Sequence, residues 1–286
     1  MKALEAMEAM QAMQAPAAVA NLSPEFSTSE DAALQQRRFG GMERLYGVAA
    51  AARIRAAHVV VVGIGGVGSW TVEALARSGV GQLTLVDLDH IAESNINRQV
   101  HALETTLGQA KVQAMRERIA LINPACQVHC IEEFVDADNW LQLVPSDIQG
   151  VVDACDQRQA KVAMAAWAVQ ASVPYVTVGA AGGKRQAHRV DVADLSLVTH
   201  DPLLAQLRQQ LRKLHGAARE GRPMGITCVF SREAVAPPDA SCQIEGDGSL
   251  NCHGYGSSVA VTSTFGLCAA GALLENIASS PKTAFG

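Results

Sequence analysis

The chain has 286 residues, of which 49% are hydrophobic and 18% are charged, with a formal net charge of −5. This length and composition suit one large α/β domain, with or without a small annex, and the charge excludes a wholly polybasic nucleic-acid binder. The seven cysteines form no CxxC pair, so we predict neither a disulfide framework nor a structural zinc site.

The N-terminal segment, residues 1–28, has low complexity. Its two prolines break any helix, so we predict a disordered extension followed by a single domain over residues 29–286. The segment begins like a signal peptide, but Glu5 and Glu8 interrupt the stretch that should be apolar. Together with the unpaired cysteines, this favours a reducing, cytoplasmic location.

From about residue 57 onward, apolar strand patterns alternate with helix patterns. This alternation predicts an α/β fold: a Rossmann-like, mostly parallel sheet with helices on both faces, continued by antiparallel strands in the C-terminal part. The predicted strands cover residues 58–63, 82–87, 128–134, 150–156 and 174–182, and the predicted helices cover 69–78, 108–122 and 159–171.

Two later segments also have helical patterns. Five leucines between residues 203 and 214 predict an amphipathic helix with a buried leucine stripe: Leu203, Leu204, Leu207, Leu211 and Leu214. The segment from Gly254 to Leu274 has no charge and is long enough to span a membrane. Its many Gly, Ser and Thr residues favour a buried helix of a soluble domain instead.

A glycine-rich turn joins the first predicted strand to the first predicted helix. The turn matches GxGxxG and carries four glycines, Gly63, Gly65, Gly66 and Gly68. Such a turn lets the backbone approach a phosphate, which the helix N-terminus then binds. Asp87 and Asp89 end the second strand, where an acid bonds a ribose hydroxyl. The pattern predicts a nucleotide site but leaves NAD and ATP both open.

The residues after this second strand favour ATP. A dehydrogenase has no need for Arg98, whereas an adenylating enzyme needs cations over the β- and γ-phosphates, which Arg98 and Lys111 supply. Asp156 ends the fourth strand and can hold Mg²⁺. Each residue also has a structural interpretation, as a surface ion pair, a solvated helix residue or a helix cap. Their order predicts that all three are catalytic.

These motifs resemble those of the ubiquitin-activating-enzyme-like superfamily, which includes ThiF, MoeB and HesA. The resemblance rests on GIGGVGSW, DLD, NINRQ and DACD. Further segments, RRFGGMERLYG, INPAC, CVFSREA and VTSTFG, are similar to those of the tRNA threonylcarbamoyladenosine dehydratase family. The resemblance implies an adenylating, ThiF-like domain with a nucleotide-binding half at 57–182 and a tRNA- and dimer-facing part at 183–286.

The resemblance implies a homodimeric ligase or cyclase that uses ATP and Mg²⁺. ATP would adenylate the threonine carboxylate of threonylcarbamoyladenosine in tRNA, and ring closure to an oxazolone would follow, with net dehydration. It also implies a partner system of cysteine desulfurase and sulfur acceptor. An adenylyltransferase for a ubiquitin-like sulfur carrier is the alternative, and it loses support because its CxxC zinc ligands are missing.

The resemblance also implies roles for individual residues. Around the ATP phosphates it places Asn95, Arg98, Gln99, Lys111 and Asp156, and at the ribose it places Asp89. It implies that an N-terminal arginine reaches the partner subunit's ATP, for which we choose Arg38, although Arg44 fits nearly as well. Cys228 is interpreted as structural, because ring closure by an internal oxygen needs no cysteine nucleophile.

A basic stretch at residues 184–222 is the candidate tRNA contact. It holds eight basic and four acidic residues, a net charge of +4, on a chain that is negative overall. Such a stretch suits contacts with an RNA backbone, although a solvated helix face would look the same. The candidate tRNA-contacting residues are Lys184, Arg185, Arg208, Arg212 and Lys213.

Overall fold

The computed structural model describes residues 28–219, 221–239, 241 and 255–280. The predicted N-terminal extension lies outside these residues, apart from Thr28. The chain divides into two compact units, Met1–Arg37 and Arg38–Gly286. The sheet and the candidate site belong to the second unit.

A sheet of seven strands forms the centre of this unit within the described residues. The strands are β1 (His58–Val62), β2 (Gln82–Val86), β3 (Gln127–Ile131), β4 (Gly150–Asp153), β5 (Tyr175–Val178), β6 (Val190–Asp194) and β7 (Thr227–Ser231). Their order is β3-β2-β1-β4-β5-β7-β6, and every neighbouring pair is parallel except β6 with β7. This confirms the predicted fold class. The strand order reverses beside β1, which is where ligands bind in such sheets.

Helices cover both faces of the sheet. They are α1 (Thr28–Tyr46), α2 (Val48–Ala56), α3 (Gly68–Arg77), α4 (Lys111–Ile122), α5 (Trp140–Leu143), α6 (Arg158–Ala171), α7 (Pro202–Leu214) and α8 (Val259–Ser279). Because side chains alternate along a strand, Val59 and Val61 of β1 join an apolar cluster with α3, α4 and α8. Val60 and Val62 join a second cluster with α6 and α7 on the opposite face.

The uncharged C-terminal segment forms α8, the one described helix that is long and apolar enough to cross a membrane. Ten of its residues are buried, and it packs closely on α3. A Cβ at Gly266 would lie 2.5 Å from the carbonyl oxygen of Val67, so glycine permits this close crossing. The contacts assign α8 to the protein core. The helix runs from Val259 to Ser279 rather than from Gly254 to Leu274, and Gly254 itself lies outside the described residues.

The predicted strands run too far at their carboxyl ends. β3 ends at Ile131, where its pairing with β2 ends, and the predicted continuation to Phe134 is exposed loop. β4 and β5 end at Asp153 and Val178, earlier than predicted. Small and apolar residues continue past the ends of β4 and β5, and the loops that they form line a cleft.

One helix start and one buried position also differ from the predictions. α4 begins at Lys111 rather than at Gly108, because Gly108 has a φ of 80°, outside the helical region. The leucine stripe of α7 is confirmed up to Leu211. Leu214 is 62% exposed because it ends the helix, beyond the packed face.

Candidate nucleotide-binding site

A cleft of about 520 Å³ lies at the carboxyl edge of the sheet. Ten of the eleven predicted ATP-binding residues line it: Gly63, Gly65, Gly66, Asp87, Asp89, Asn95, Arg98, Gln99, Lys111 and Asp156. The opposite wall is the segment Val178–Gly182 after β5. The predicted residues therefore lie together, as the common edge of parallel strands requires.

The eleventh residue, Gly68, lies behind the glycine turn and makes the turn possible. A Cβ at Gly68 would lie 1.7 Å from the carbonyl oxygen of Gly63, closer than any side chain can approach. Gly63 has a φ of 84°, and a Cβ there would lie 2.8 Å from the backbone nitrogen of Cys155. At Gly65 a Cβ would meet no atom within 4 Å, so this residue faces the open cleft. The turn is therefore closely packed at Gly63 and Gly68, and accessible from the cleft at Gly65.

The structure gives the two acids after β2 different surroundings, and Asp89 is the one that the family resemblance places at the ribose. Asp87 fixes the loop backbone, because its carboxylate accepts hydrogen bonds from Ile64 N at 2.6 Å and Asp89 N at 2.8 Å. Burial raises the pKa of Asp87, and the charge of Lys111 opposes this shift. The side chain of Asp89 is 57% exposed, and among the described residues it bonds only Lys111, whose Nζ lies at 2.6 Å. Asp89 is therefore the acid with an oxygen free for a ribose.

Arg98 is buried without a carboxylate partner. It is 8% exposed, and its Nη1 donates to Ser94 O at 2.5 Å and to Asn97 Oδ1 at 3.0 Å. In the part of the chain that the structure describes, its Nε has no hydrogen-bond partner, and neither has Oε1 of Gln99. No ion pair of Arg98 occurs among the described residues. Because a buried charge needs a counter-charge, this guanidinium suits a bound anion.

Two residues that the sequence analysis did not select hold Arg98 in place. Trp70 Nε1 donates to the carbonyl oxygen of Arg98 at 3.0 Å, and Thr262 Oγ1 approaches the same oxygen at 3.5 Å. A Cβ at Gly66 would lie 3.2 Å from Thr262 Cγ2 and 3.3 Å from Arg98 Cγ. Both residues lie within quoted motifs, GIGGVGSW and VTSTFG, which were the signal available in the sequence.

Lys111 begins α4 at the cleft and is almost fully buried. Besides Asp89 it approaches Asp87 Oδ1 at 3.8 Å. The neighbouring His101 is also buried, and neither ring nitrogen has a hydrogen-bond partner among the described residues. Burial, with Lys111 and Arg118 nearby, lowers the pKa of His101 to about 3. His101 is therefore neutral at physiological pH, and Lys111 carries the positive charge here.

Asp156 lies at the cleft, exposed, and makes no hydrogen bond or ion pair with the described residues. It does not cap the next helix, because the N-cap of α6 is Gln157. No group of three described His, Cys, Asp or Glu residues could hold a metal alone. A single free carboxylate fits Mg²⁺, which is usually held by one or two carboxylates together with phosphate oxygens.

The choice between Arg38 and Arg44 changes with the structure. Arg38 donates from Nη1 to the carbonyl oxygen of Ile122 at 2.5 Å, at the end of α4. It lines a separate surface pocket and not the cleft. Arg44 is exposed and makes no hydrogen bond with the described residues. Of these two exposed arginines, Arg44 is the one without a hydrogen bond to the described residues, and the choice between them stays a prediction.

The structure supports a structural role for Cys228. This residue lies in β7 with no exposed surface, and burial raises the pKa of its thiol far above the ordinary value. A thiol that is neither accessible nor ionised is no nucleophile.

The predicted tRNA contacts separate into three groups. Lys184 was a wrong choice: it is 2% exposed, and its amine donates to backbone carbonyls of His200 and Glu233. Arg208 and Arg212 are half-buried and also bond backbone carbonyls. Arg185 and Lys213 are exposed and available to an RNA. The net charge of the stretch therefore overstates its accessible charge.

Comparisons with known proteins agree with this geometry. The ThiF family model matches residues 40–278. The tRNA threonylcarbamoyladenosine dehydratases of Haemophilus influenzae and Escherichia coli K12 are 39% and 40% identical to this chain, with 85% of this chain and 94% of each relative covered. The crystal structure of the E. coli tRNA N6-threonylcarbamoyladenosine dehydratase in complex with ATP has a TM-score of 0.77 at 40% identity, covering 85% of this chain and 95% of that one.

A more distant relative matches over less of its length. The molybdopterin-synthase adenylyltransferase of Salmonella typhimurium is 36% identical over 124 residues, which cover 43% of this chain and 49% of that protein. The extent of the family match and the arrangement of the cleft lead to one conclusion: the chain belongs to the ThiF family.

Proposed function

We propose that this protein catalyses the ATP-dependent cyclisation of threonylcarbamoyladenosine in tRNA, with net loss of water. The observation that carries the proposal is the similarity to tRNA threonylcarbamoyladenosine dehydratases over 94% of their length at 39–40% identity. The solved dehydratase with ATP has the same fold. The cleft adds an independent argument, since its free charges and open turn suit a nucleoside triphosphate.

ATP lies with its phosphates over the glycine turn. The N-terminus of α3 directs backbone N–H groups and a partial positive charge at them. Arg98 and Lys111 supply full positive charges, and Arg98 gains in ATP the counter-charge that its burial requires. Asp89 accepts a hydrogen bond from the ribose. Mg²⁺, held by Asp156 and phosphate oxygens, would neutralise charge on the phosphates.

The threonine carboxylate attacks the α-phosphorus, the bond to the β-phosphate breaks, and pyrophosphate leaves. Arg98 and Lys111 stabilise the charge that develops on this leaving group. The carbamoyl oxygen then attacks the activated carbonyl carbon and closes the oxazolone ring. One carboxylate oxygen leaves with AMP, and a carbamoyl nitrogen loses its proton. Because the nucleophile is internal, the buried Cys228 is not needed.

The proposal has four further parts. The protein is an ATP-dependent ligase or cyclase, with a single adenylating domain over 29–286. It is a homodimer, in which Arg44 reaches the ATP of the partner subunit. It is cytoplasmic, where ATP and tRNA are found. A cysteine desulfurase with a sulfur acceptor is its protein partner, an expectation that rests on the family resemblance alone.

A sulfur-carrier adenylyltransferase is the weaker alternative. The molybdopterin-synthase adenylyltransferase matches over 49% of its own length, and the chain lacks the CxxC zinc ligands expected of such enzymes. Both activities release pyrophosphate, so the acceptor distinguishes them. A ubiquitin-like sulfur carrier ending in a free carboxylate is the discriminating substrate.

The test incubates the protein with ATP, Mg²⁺ and tRNA carrying threonylcarbamoyladenosine. We expect AMP release together with a modified nucleoside that has lost the mass of one water. Matched reactions contain tRNA without the threonylcarbamoyl group or a sulfur-carrier protein, and both should release no pyrophosphate, whereas a sulfur-carrier adenylyltransferase would release it with the carrier. Folded protein that leaves the nucleoside mass unchanged would refute the proposal.

A further inference from the structure

A buried polar network lies directly beneath the cleft. It joins Asp153 at the end of β4, Lys161 in the first turns of α6, and Tyr175 and Thr177 on β5. The carboxylate atom Oδ2 of Asp153 accepts from the Tyr175 hydroxyl at 2.6 Å, Thr177 Oγ1 at 2.7 Å and Lys161 Nζ at 3.0 Å. Asp153, Lys161 and Thr177 have no exposed surface. None of the four lines the cleft.

The network holds the two loops that face each other across the cleft. On one side, Asp153 Oδ1 accepts from the backbone N–H of Cys155 at 3.2 Å and from its thiol at 3.1 Å. Cys155 directly precedes Asp156. On the other side, Lys161 Nζ donates to the carbonyl oxygen of Val178 at 3.0 Å, where the wall Val178–Gly182 begins. A single ion pair therefore connects both walls.

The glycine turn packs against the backbone of Ala154 and Cys155, which follows β4. A Cβ at Gly63 would lie 2.8 Å from Cys155 N and 2.9 Å from the carbonyl oxygen of Ala154. The turn after β4 thus packs against the phosphate-binding turn without spare room. A displacement of the Asp153 carboxylate would move Asp156 and press on the glycine turn together.

The stability of the fold does not explain the network. Burial lowers the pKa of Lys161, but the Asp153 charge, Cys155, the hydrogen bond to Asp153 and Asp201 together outweigh it, and the net pKa is raised. Lys161 is therefore protonated inside the network. Burying a charged, hydrogen-bonded pair offsets much of the attraction within it, and apolar residues of similar volume often stabilise a core equally well. Apolar residues could not form the directional hydrogen bonds that Asp153 and Lys161 make to the two loops.

We propose that Asp153 and Lys161 are positioning residues, which fix the turn carrying Asp156 and the wall after β5 at the spacing that adenylation requires. The inference rests on the proposed function, because the role of Asp156 does. Neither residue contacts ATP. Their effect passes through Cys155 N on one side and Val178 O on the other.

The test uses a neutral double variant, Asp153→Asn with Lys161→Met, in the full chain. We expect it to fold, to exchange the amide hydrogens of residues 154–157 and 178–182 faster than the wild type, and to lose at least about tenfold in kcat, since small misplacements are costly. The KM for ATP should change less than about threefold, and half-maximal activity should need more Mg²⁺. Unchanged exchange and kcat in this variant would overturn the proposal.

A matched control and a milder pair of variants complete the experiment. Glu73 is another buried carboxylate, bonded by Arg77 and Arg118 away from the cleft. Glu73→Gln should lower the melting temperature and leave kcat unchanged. If the double variant does not fold, two variants of Thr177 test the positioning role instead. Thr177→Val removes the hydroxyl that donates to Asp153, and Thr177→Ser keeps a hydroxyl at this position.

The expected result is a fall in kcat for the Val variant and recovery for the Ser variant, and equal values for the two would contradict a positioning role. Wild-type protein that does not convert the tRNA would refute the proposed function instead. In that case, comparing amide hydrogen exchange of the wild type and the double variant without ligands would still test whether the network fixes the two loops.

Discussion

Arg98→Ala is the sharpest test of where the phosphates lie. Nη1 is occupied by Ser94 O and Asn97 Oδ1 and Nε is enclosed, which leaves the two N–H groups of Nη2 as donors for the nucleotide. Two hydrogen bonds to a charged acceptor contribute about 1.5 kcal/mol each at the lower bound. Their loss, about 3 kcal/mol, lowers kcat/KM at least about a hundredfold. The free energy of unfolding should change by less than about 2 kcal/mol, because the variant also removes an uncompensated buried charge.

The assay follows AMP release from ATP and threonylcarbamoyl-tRNA at several ATP concentrations, with the melting temperature recorded for each variant. Arg53→Ala is the matched control, since Arg53 is half-buried and donates to the carbonyl oxygens of Ile277 and Ala278, away from the cleft. We expect the control to lose stability and keep its kcat/KM. If Arg98→Ala retains kcat/KM within about threefold of the wild type while folded, the assignment of the phosphates is wrong.

Three further predictions follow from the same contacts. Gly68→Ala should abolish ATP binding measured by calorimetry, because its Cβ would lie 1.7 Å from Gly63 O, whereas Gly65→Ala should fold normally. Arg44→Ala and Arg98→Ala subunits should each be inactive but regain AMP release when mixed, because one site of the mixed dimer has both arginines; no recovery would refute a shared site. Although burial raises the pKa of Glu73, bonds from Arg118 and Arg77 lower it below its ordinary 4.5. The ion pairs of Glu73 therefore stabilise the fold above pH 4.5, and this stabilisation is lost as the pH falls through the lowered pKa. Glu73→Gln should make the free energy of unfolding depend less on pH in this acidic range.

The fold and the cleft lining could be predicted because their signals are local. Continuous apolar runs define parallel strands, and the glycine turn, Asp89, Arg98, Lys111 and Asp156 each follow a strand end or begin a helix. Since the carboxyl ends of parallel strands meet at one edge, sequence order alone brings such residues together. The ends of β4 and β5 were predicted too late because the cleft loops after them retain small and apolar side chains.

The unpredicted features of the site depend on contacts between distant segments. Lys184 counted as one of the accessible basic residues, yet its burial follows from backbone carbonyls that only the folded chain provides. Thr262 approaches Arg98 across 164 positions of sequence, and Asp153 meets Thr177 across a strand pair. A charge count or a helical period carries no information on these partners. The assignment of Asp87 to the loop backbone likewise needed coordinates.

The crossing of α8 over α3 has a consequence for how the protein is made. Gly266 contacts Val67, and Thr262 approaches Arg98, so the phosphate-binding turn leans on a helix almost 200 residues further along the chain. During synthesis, the GxGxxG motif, Lys111 and Asp156 emerge from the ribosome before α8 has been made. At that stage the phosphate-binding turn still lacks the contacts with α8. Because contacts so distant in sequence form late, ATP binding should arise only when synthesis has passed α8.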